Sequence, residues 1–141
     1  MNAYDGVVAQ ERQHDDARPQ GFHALTRGCP SRTVLEHLTG RWGPPVLVAL
    51  MDEPQRFRQL GRRVDGISEK MLSQTLQAFE RDGLVVRQAS PGFPSRVDYD
   101  LTELGRSTAT QLYSLICHVE QSMPAVLHAQ QAYDSTRSAT Q

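Results

Sequence analysis

The sequence predicts an α+β fold that is mainly α, in which short helices precede a two-stranded sheet and a long final helix. Between residues 30 and 82, apolar residues recur at helical spacing in segments separated by Gly, Pro and Asp. Residues 84–100 are instead β-branched or alternating around a loop rich in Pro and Gly, which predicts a hairpin. After Thr102 the helical spacing returns and continues to Pro124.

Two short helices are predicted first. One begins after Cys29-Pro30 and ends before Gly40, because its apolar residues stop recurring there. The next opens at Gly43-Pro44-Pro45, since proline is tolerated in a first turn whose N–H groups have no helical partner, and residues 46–51 supply its buried face.

A helix, a short turn and a second helix follow. Arg56 to Val64 is a basic amphipathic segment, and Asp65-Gly66 is a turn signal. Ser68 then caps a helix that runs to about Asp82. Its inward residues are predicted to be Leu72, Leu76 and Phe79, with Gly83 as terminator. This order is typical of a helix-turn-helix.

The hairpin and the last helix complete the fold. Strands are predicted over residues 84–88 and 96–100, joined by the loop 90–95, and this hairpin would form a wing beside the helix-turn-helix. Thr102 caps the long helix, which we expect Pro124 to break or kink before one further helical piece at Val126 and Leu127.

The length of 141 residues suits one domain with tails. Residues 1–20 and 134–141 are polar and poor in apolar side chains, so we expect disordered tails around a domain over residues 21–133. Net charge is −1, but residues 27–100 carry 11 Lys and Arg against 9 Asp and Glu. The positive surplus in the middle of the chain favours an anionic partner there.

Several classes of function are disfavoured. The two cysteines and five histidines lack the spacing of metal ligands, so no metal or cofactor is expected. No signal peptide or membrane-spanning apolar run is visible, which predicts a cytoplasmic protein without membrane partners. The chain also lacks a Gly-rich phosphate loop, a nucleophile elbow and suitably spaced paired carboxylates, so it is not expected to be an enzyme.

The polar side chains of residues 54–100 suit double-stranded DNA. Gln pairs bidentately with adenine, whereas Lys, Arg and Ser bind phosphate oxygens. A wing arginine lies along the backbone or enters a narrow minor groove. The predicted DNA-binding residues are Arg56, Arg58, Ser68, Lys70, Ser73, Gln74, Gln77 and Arg96, with Arg62 and Arg63 in the same basic run. The alternatives are an ordinary solvated face, and an Arg96 paired with Asp98 or Asp100.

A series of motifs in order along the chain resembles the HxlR family of winged helix-turn-helix regulators. They are Cys29-Pro30, Gly40-Arg41-Trp42, Phe57-Arg58-Gln59-Leu60, residues 67–76 (ISEKMLSQTL), Asp82-Gly83-Leu84-Val85 and residues 96–105 (RVDYDLTELG). The resemblance implies a homodimer that binds a palindromic operator and acts as a repressor, with terminal helices forming the dimer interface. It places Lys70, Ser73 and Gln74 on the recognition helix and Arg96 on the wing.

The two cysteines are candidates for a redox switch. Cys29 lies before a helix start between Arg27 and Arg32, which would stabilise a thiolate. In part of the HxlR family the matching cysteine senses oxidants, quinones or aldehydes, and Cys117 is a candidate partner on the second chain. Buried packing is the alternative for both cysteines.

Two other interpretations of the function stay open. A small aromatic inducer would need a pocket between helices, for which the candidate lining residues are Trp42, Met51, Phe57 and Tyr113. A winged helix that binds only protein would need an acidic or apolar outer face on its recognition helix, which the polar residues from Lys70 to Gln77 disfavour.

Overall fold

The computed structural model describes residues 21–140 except Phe93 and Ser95, so the predicted tail over residues 1–20 lies outside the described residues. The chain divides into two units, residues 1–38 and 39–141. The elements, in order, are α1 (Pro30–Thr39), α2 (Gly43–Ala49), α3 (Phe57–Arg63), α4 (Glu69–Arg81), β1 (Val85–Ser90), β2 (Arg96–Leu101) and α5 (Glu103–Ala139). The helices and strands predicted up to Pro124 are therefore present, whereas the separate helical piece predicted after it is part of α5.

The first unit contains turns that lead into α1. The amide of Cys29 donates to the carbonyl of Thr26 at 3.2 Å, which closes the last turn before the helix. None of the ten residues of α1 is buried. Arg32 and Glu36, one helical turn apart, approach to 3.8 Å as an exposed ion pair, which stabilises the helix only slightly.

The core of the second unit lies among α2, α3, α4 and the start of α5. Its largest fully buried side chains are Phe79, Leu47, Leu50, Leu60, Leu72, Leu76 and Val46. The inward face predicted for α4 is thus confirmed. The Ser68 hydroxyl accepts the amide of Met71 at 3.1 Å, and Gly83 follows the helix with a φ of +77°. Both ends of α4 are therefore set by the residues that the sequence indicates.

The wing is an antiparallel pair in which Val85 lies opposite Leu101 and Ser90 opposite Arg96. A third segment that the sequence analysis did not predict joins it. Gln55 and Tyr99 exchange backbone hydrogen bonds of 2.9 and 2.8 Å, so the residue just before α3 pairs with the free edge of β2. Gln55 is also buried, and its side-chain amide donates to the carbonyl of Ala49. These bonds attach the wing to the helix-turn-helix.

The final helix differs from the prediction in two ways. Pro124 lies inside α5 and does not end it. Proline removes one backbone hydrogen bond, but Ala, Leu and Gln around it are strong helix formers, so the helix resumes its ladder at once. Residues 134–139, predicted to be a disordered tail, are also helical. There Arg137 donates to the Tyr133 hydroxyl at 3.0 Å, a contact between residues one turn apart that supports the last turns.

Most of α5 is uncovered. Its buried residues are Gly105, Ala109 and Leu112, all in its first third. Large apolar side chains beyond them remain about half exposed or more, namely Tyr113, Leu115, Val119, Leu127 and Tyr133. None of the helices in the described part of the chain is long and apolar enough to cross a membrane.

Gly105 allows α5 to begin against the turn before the wing. A Cβ at this position would overlap the backbone carbonyl of Leu84, which has no side-chain rotation to relieve the clash. We expect Gly105→Ala to lower the free energy of unfolding by about 1–3 kcal/mol, as overpacking does. Gly61→Ala is the control, since its Cβ would lie 3.8 Å from Leu72 Cδ2 and helix propensity favours alanine. Urea unfolding followed by circular dichroism measures both, and equal stability of the two variants would contradict the close approach.

Candidate functional site

The exposed side of α3 is basic. Arg56 is the N-cap residue, and its amide donates to Gln59 Oε1 at 2.8 Å, which satisfies one N–H that the helix leaves unpaired. Arg56, Arg58 and Arg62 are exposed, whereas Leu60 on the opposite side is fully buried. The amphipathic pattern seen in the sequence therefore places these cations in solvent.

An open groove of about 400 Å³ brings these cations together with the wing. Its lining consists of Arg56, Phe57, Arg58, Gln59 and Arg62 from α3 and its N-cap, with Arg96 and Val97 from β2. We call it the arginine groove. Four like charges around one concave surface repel one another, so an anion that enters it is stabilised by all of them.

The wing arginine has a partner within the protein. Arg96 Nε lies 3.1 Å and 3.3 Å from the two carboxylate oxygens of Asp98. This is the alternative contact that the sequence left open. The Arg96 side chain is still 56% exposed, and a guanidinium has five N–H donors, so it retains capacity for a second acceptor. The exposed pair stabilises the fold little and mainly orients the arginine, which lies at the loop end of the hairpin opposite Ser90.

A second groove, of about 290 Å³, lies between α3 and the start of α4. Arg58 and Arg62 line this groove as well, together with Ser68 and Glu69. These two arginines thus connect the wing side of α3 with the N-terminus of α4. The Ser68 hydroxyl caps α4, so its oxygen is already an acceptor for a backbone N–H.

Arg63 differs from its neighbours in the basic run. Its Nη1 donates to the carbonyl of Ala49 at 3.0 Å, and its Nη2 lies 3.2 Å from Asp52 Oδ2. The side chain therefore binds the carbonyl end of α2, where a helix has unpaired C=O groups. The sequence pattern grouped Arg63 with Arg56, Arg58 and Arg62 as DNA-facing cations. In the structure Arg63 instead binds acceptors at the end of α2.

The polar face of α4 has the spacing predicted for a recognition helix. Lys70, Gln74 and Gln77 are exposed and lie four and three residues apart, which places them on one face. Ser73 is partly buried on the flank of that face. The buried residues of the helix, including Leu72 and Phe79, occupy the other side. Lys70 thus offers a charged donor to a partner, and Gln74 and Gln77 each offer an amide donor and acceptor.

Cys29 has a thiol that its neighbours polarise. Its Sγ lies 3.2 Å from the Ser31 hydroxyl and accepts the backbone amide of His23 at 3.3 Å. Hydrogen bonds from the Ser31 hydroxyl first, and then from the amides of His23 and Ser31, lower the pKa of Cys29 because they stabilise the thiolate. The sequence predicted that the helix N-terminus and the flanking arginines would stabilise the thiolate. The amide of Ser31 belongs to that helix start, whereas the Ser31 hydroxyl was missed and neither flanking arginine contributes.

Cys117 lies on α5 one turn after Tyr113 and is partly exposed. A hydrogen bond with Cys117 raises the pKa of the Tyr113 hydroxyl, since it favours the protonated phenol beside sulfur. The aromatic residues predicted for a ligand pocket have different surroundings. Phe57 lines the arginine groove, Trp42 lies beside Gly66, and Tyr113 contacts Cys117.

Comparison with known proteins decides the family. The model of HxlR-like helix-turn-helix proteins matches residues 37–126. The chain belongs to this family. The regulator YtfH of Escherichia coli K12 is 48% identical over 99 residues, covering 70% of this chain and 79% of YtfH. The structure of YtfH from Salmonella typhimurium superimposes with a TM-score of 0.73 at 43% identity, covering 78% of this chain and 98% of that one.

A third relative is a redox regulator. The oxidised form of HypR is 29% identical, with a TM-score of 0.61 over 66% of this chain and 96% of HypR. These matches confirm the winged helix-turn-helix fold and the HxlR resemblance. The chain is a helix-turn-helix transcriptional regulator, and its family and relatives are not enzymes.

Proposed function

We propose that this regulator binds a palindromic DNA operator as a homodimer and represses transcription. The observation that carries the proposal is the arginine groove, in which Arg58 and Arg62 of α3, the N-cap residue Arg56 and the wing's Arg96 share one concave surface. Phosphate is the anion that a double helix presents on both sides of its major groove. A recognition helix between two phosphate-binding surfaces is thereby held in register with the bases.

The side chains divide between two tasks. Phosphates are bound by Arg56, Arg58 and Arg96. Further phosphate contacts, at the start of α4, come from Ser68 and Lys70. Gln74 and Gln77, with Ser73 at the flank, face base edges, where a glutamine amide pairs with adenine through two hydrogen bonds. Phosphate contacts supply affinity, whereas the amides supply sequence preference.

The uncovered face of α5 supports a dimer. Leu115, Val119 and Tyr133 are 55%, 48% and 60% exposed. Helical spacing places them on the same side as the buried Leu112. A continuous apolar strip of this length on one helix is typical of a surface that a second copy covers. Two recognition helices related by a two-fold axis would then read two half-sites, and the bound dimer would block access of polymerase to the promoter.

The regulatory signal that we favour acts on the Cys29 thiol. A thiolate stabilised by the Ser31 hydroxyl adds to the electrophilic carbon of a quinone, with a proton taken up by the ring oxygen. Alternatively, two thiols lose two electrons and two protons to an oxidant such as diamide and form a disulfide. Cys117 of the second subunit is the proposed partner for that bond. HypR, a redox regulator of the same fold, supports a thiol signal.

DNA binding is tested by titration at several salt concentrations of two duplexes. One is the DNA that flanks the regulator's own gene, used as operator, and the other is a scrambled sequence of the same composition, used as non-operator DNA. We expect Arg58→Ala and Lys70→Ala each to weaken binding to both DNAs about tenfold and to reduce the slope of log K against log salt by about one. Gln74→Ala should leave the slope unchanged and reduce the preference for operator. Arg137→Ala, which removes a cation near the end of α5, is the control. Wild-type protein without affinity for either DNA would refute the proposed function.

The dimer is tested by a charge on the apolar strip. We expect Val119→Glu to convert a dimer into a monomer at micromolar concentration, because a carboxylate would be buried without a partner in the interface. The residue is half exposed in the single chain, so the variant should remain folded. Gln121→Glu places the same charge on the opposite face of α5 and should remain dimeric. Sedimentation equilibrium distinguishes the two, and a dimeric Val119→Glu would exclude this face.

The thiol switch is tested by release from DNA. Cys29→Ser should bind operator like the wild type and should not be released by diamide or a quinone. Ser31→Ala removes the largest stabilising contact of the thiolate, so the Cys29 pKa should rise and the alkylation rate curve should move to higher pH. Gel shifts and iodoacetamide kinetics over a pH series measure both effects. Normal release of Cys29→Ser would reject the thiol as the sensor.

A further inference from the structure

We propose that Arg41, held against Trp42, is an additional DNA phosphate ligand at the turn of the helix-turn-helix. This inference rests on the proposed function, since it extends the DNA surface beyond the arginine groove. Arg41 lies in the segment between α1 and α2, which the sequence analysis did not assign to DNA contact. Two separate contacts carry the inference.

The first contact holds the guanidinium in place. The Cζ atom of Arg41 lies 4.8 Å from the centroid of the Trp42 ring, within the range of a cation–π interaction. Arg41 is exposed, whereas Trp42 is partly buried. A guanidinium stacked on an indole keeps its N–H edge in solvent, because stacking uses the flat face and hydrogen bonds use the rim. The side chain is thus ordered before any ligand arrives.

The second contact places this pair beside the helix-turn-helix. A Cβ on Gly66 would lie 3.7 Å from Trp42 Cη2, so the indole edge lies against the turn between α3 and α4. Gly66 has a φ of +83°, a left-handed conformation that glycine adopts without strain. Two residues later, Ser68 caps the recognition helix. The Trp42 indole therefore lies between the Arg41 guanidinium and the turn that leads into α4.

The ligand that fits this arrangement is a backbone phosphate of the bound duplex. When the start of α4 enters the major groove, the turn before it faces the strand that borders the groove. An ordered guanidinium takes two phosphate oxygens through parallel N–H bonds and loses little side-chain entropy in doing so. Lysine carries the same charge but lacks the planar rim, so the substitution should separate charge from geometry.

The competing account is local charge balance. The turn carries Asp65, and Glu69 opens α4, so Arg41 could serve only to offset these carboxylates in the free protein. Under that account, removal of Arg41 would change the overall field of the protein by one charge and would have no effect specific to its position. Arg137 provides a matched reference because it too is an exposed arginine stacked on an aromatic ring, with its Cζ 5.7 Å from the Tyr133 centroid.

The experiment compares Arg41→Ala, Arg41→Lys and Arg137→Ala in fluorescence-anisotropy titrations of operator and non-operator DNA between low and moderate salt. We expect Arg41→Ala to weaken binding to both DNAs by about three- to tenfold and to reduce the salt slope by about one. Arg41→Lys should retain the slope with a smaller loss of affinity. Arg137→Ala should match the wild type in DNA binding, with sedimentation equilibrium confirming that it keeps the oligomeric state of the wild type, because Arg137 contacts Tyr133 on the apolar strip. Thermal unfolding should shift only slightly in each alanine variant, since each loses one exposed cation–π contact.

Two results would overturn the proposal. One is an Arg41→Ala variant with the affinity and salt slope of Arg137→Ala, which would show that Arg41 contributes only to the net charge and makes no phosphate contact. The other is weaker binding with an unchanged slope, which would indicate a structural effect through Trp42. Failure of the proposed function is a different outcome, because wild-type protein would then bind no DNA. Arg58→Ala in the same series keeps the two apart, since it removes a cation of the arginine groove and leaves the pair of Arg41 and Trp42 intact.

Discussion

The two backbone hydrogen bonds between Gln55 and Tyr99 determine where the cationic surface of this regulator lies. They pair the residue before α3 with the free edge of β2, so the wing and the helix-turn-helix share one short sheet. A hairpin of two strands is marginal by itself in water. With a third strand residue and a buried Gln55 side chain behind it, the hairpin has a defined position relative to α3, and Arg96 faces the arginines of that helix.

The end of α2 depends on the same set of contacts. A seven-residue helix leaves most of its carbonyls without helical partners. The carbonyl of Ala49 accepts the Gln55 amide and Arg63 Nη1, and the carbonyl of Met51 accepts Arg106 Nη1 at 3.0 Å. Three side chains from different parts of the second unit therefore satisfy one helix end. Each such bond contributes roughly 1 kcal/mol, and together they fix α2 relative to α3 and α5.

Charge is distributed unevenly over this framework. Arg63 and Arg106 are committed to carbonyls at the end of α2, whereas Arg56, Arg58 and Arg62 face the arginine groove. A net charge of −1 conceals this local surplus, because no carboxylate of the described residues lines the arginine groove although acidic residues occur nearby along the chain. Such a separation allows a nearly neutral protein to attract a polyanion at one face. The oriented pair of Arg96 and Asp98 keeps the wing cation at the edge of that face.

The sequence by itself determined the helices, the hairpin and the identity of most exposed cations, because these follow from local spacing. Ser68, Gly83 and Thr102 mark helix ends through contacts within a few residues, and such contacts are visible in a linear chain. Only the tertiary structure decided which arginines share a groove. Gln55 and Tyr99 are 44 positions apart along the chain, and no local pattern reports that they pair. The same reason explains the separate role of Arg63, whose acceptor lies on another helix. The continuation of α5 past Pro124 and through residues 134–139 was decided by helix-forming neighbours whose combined effect outweighs one missing hydrogen bond.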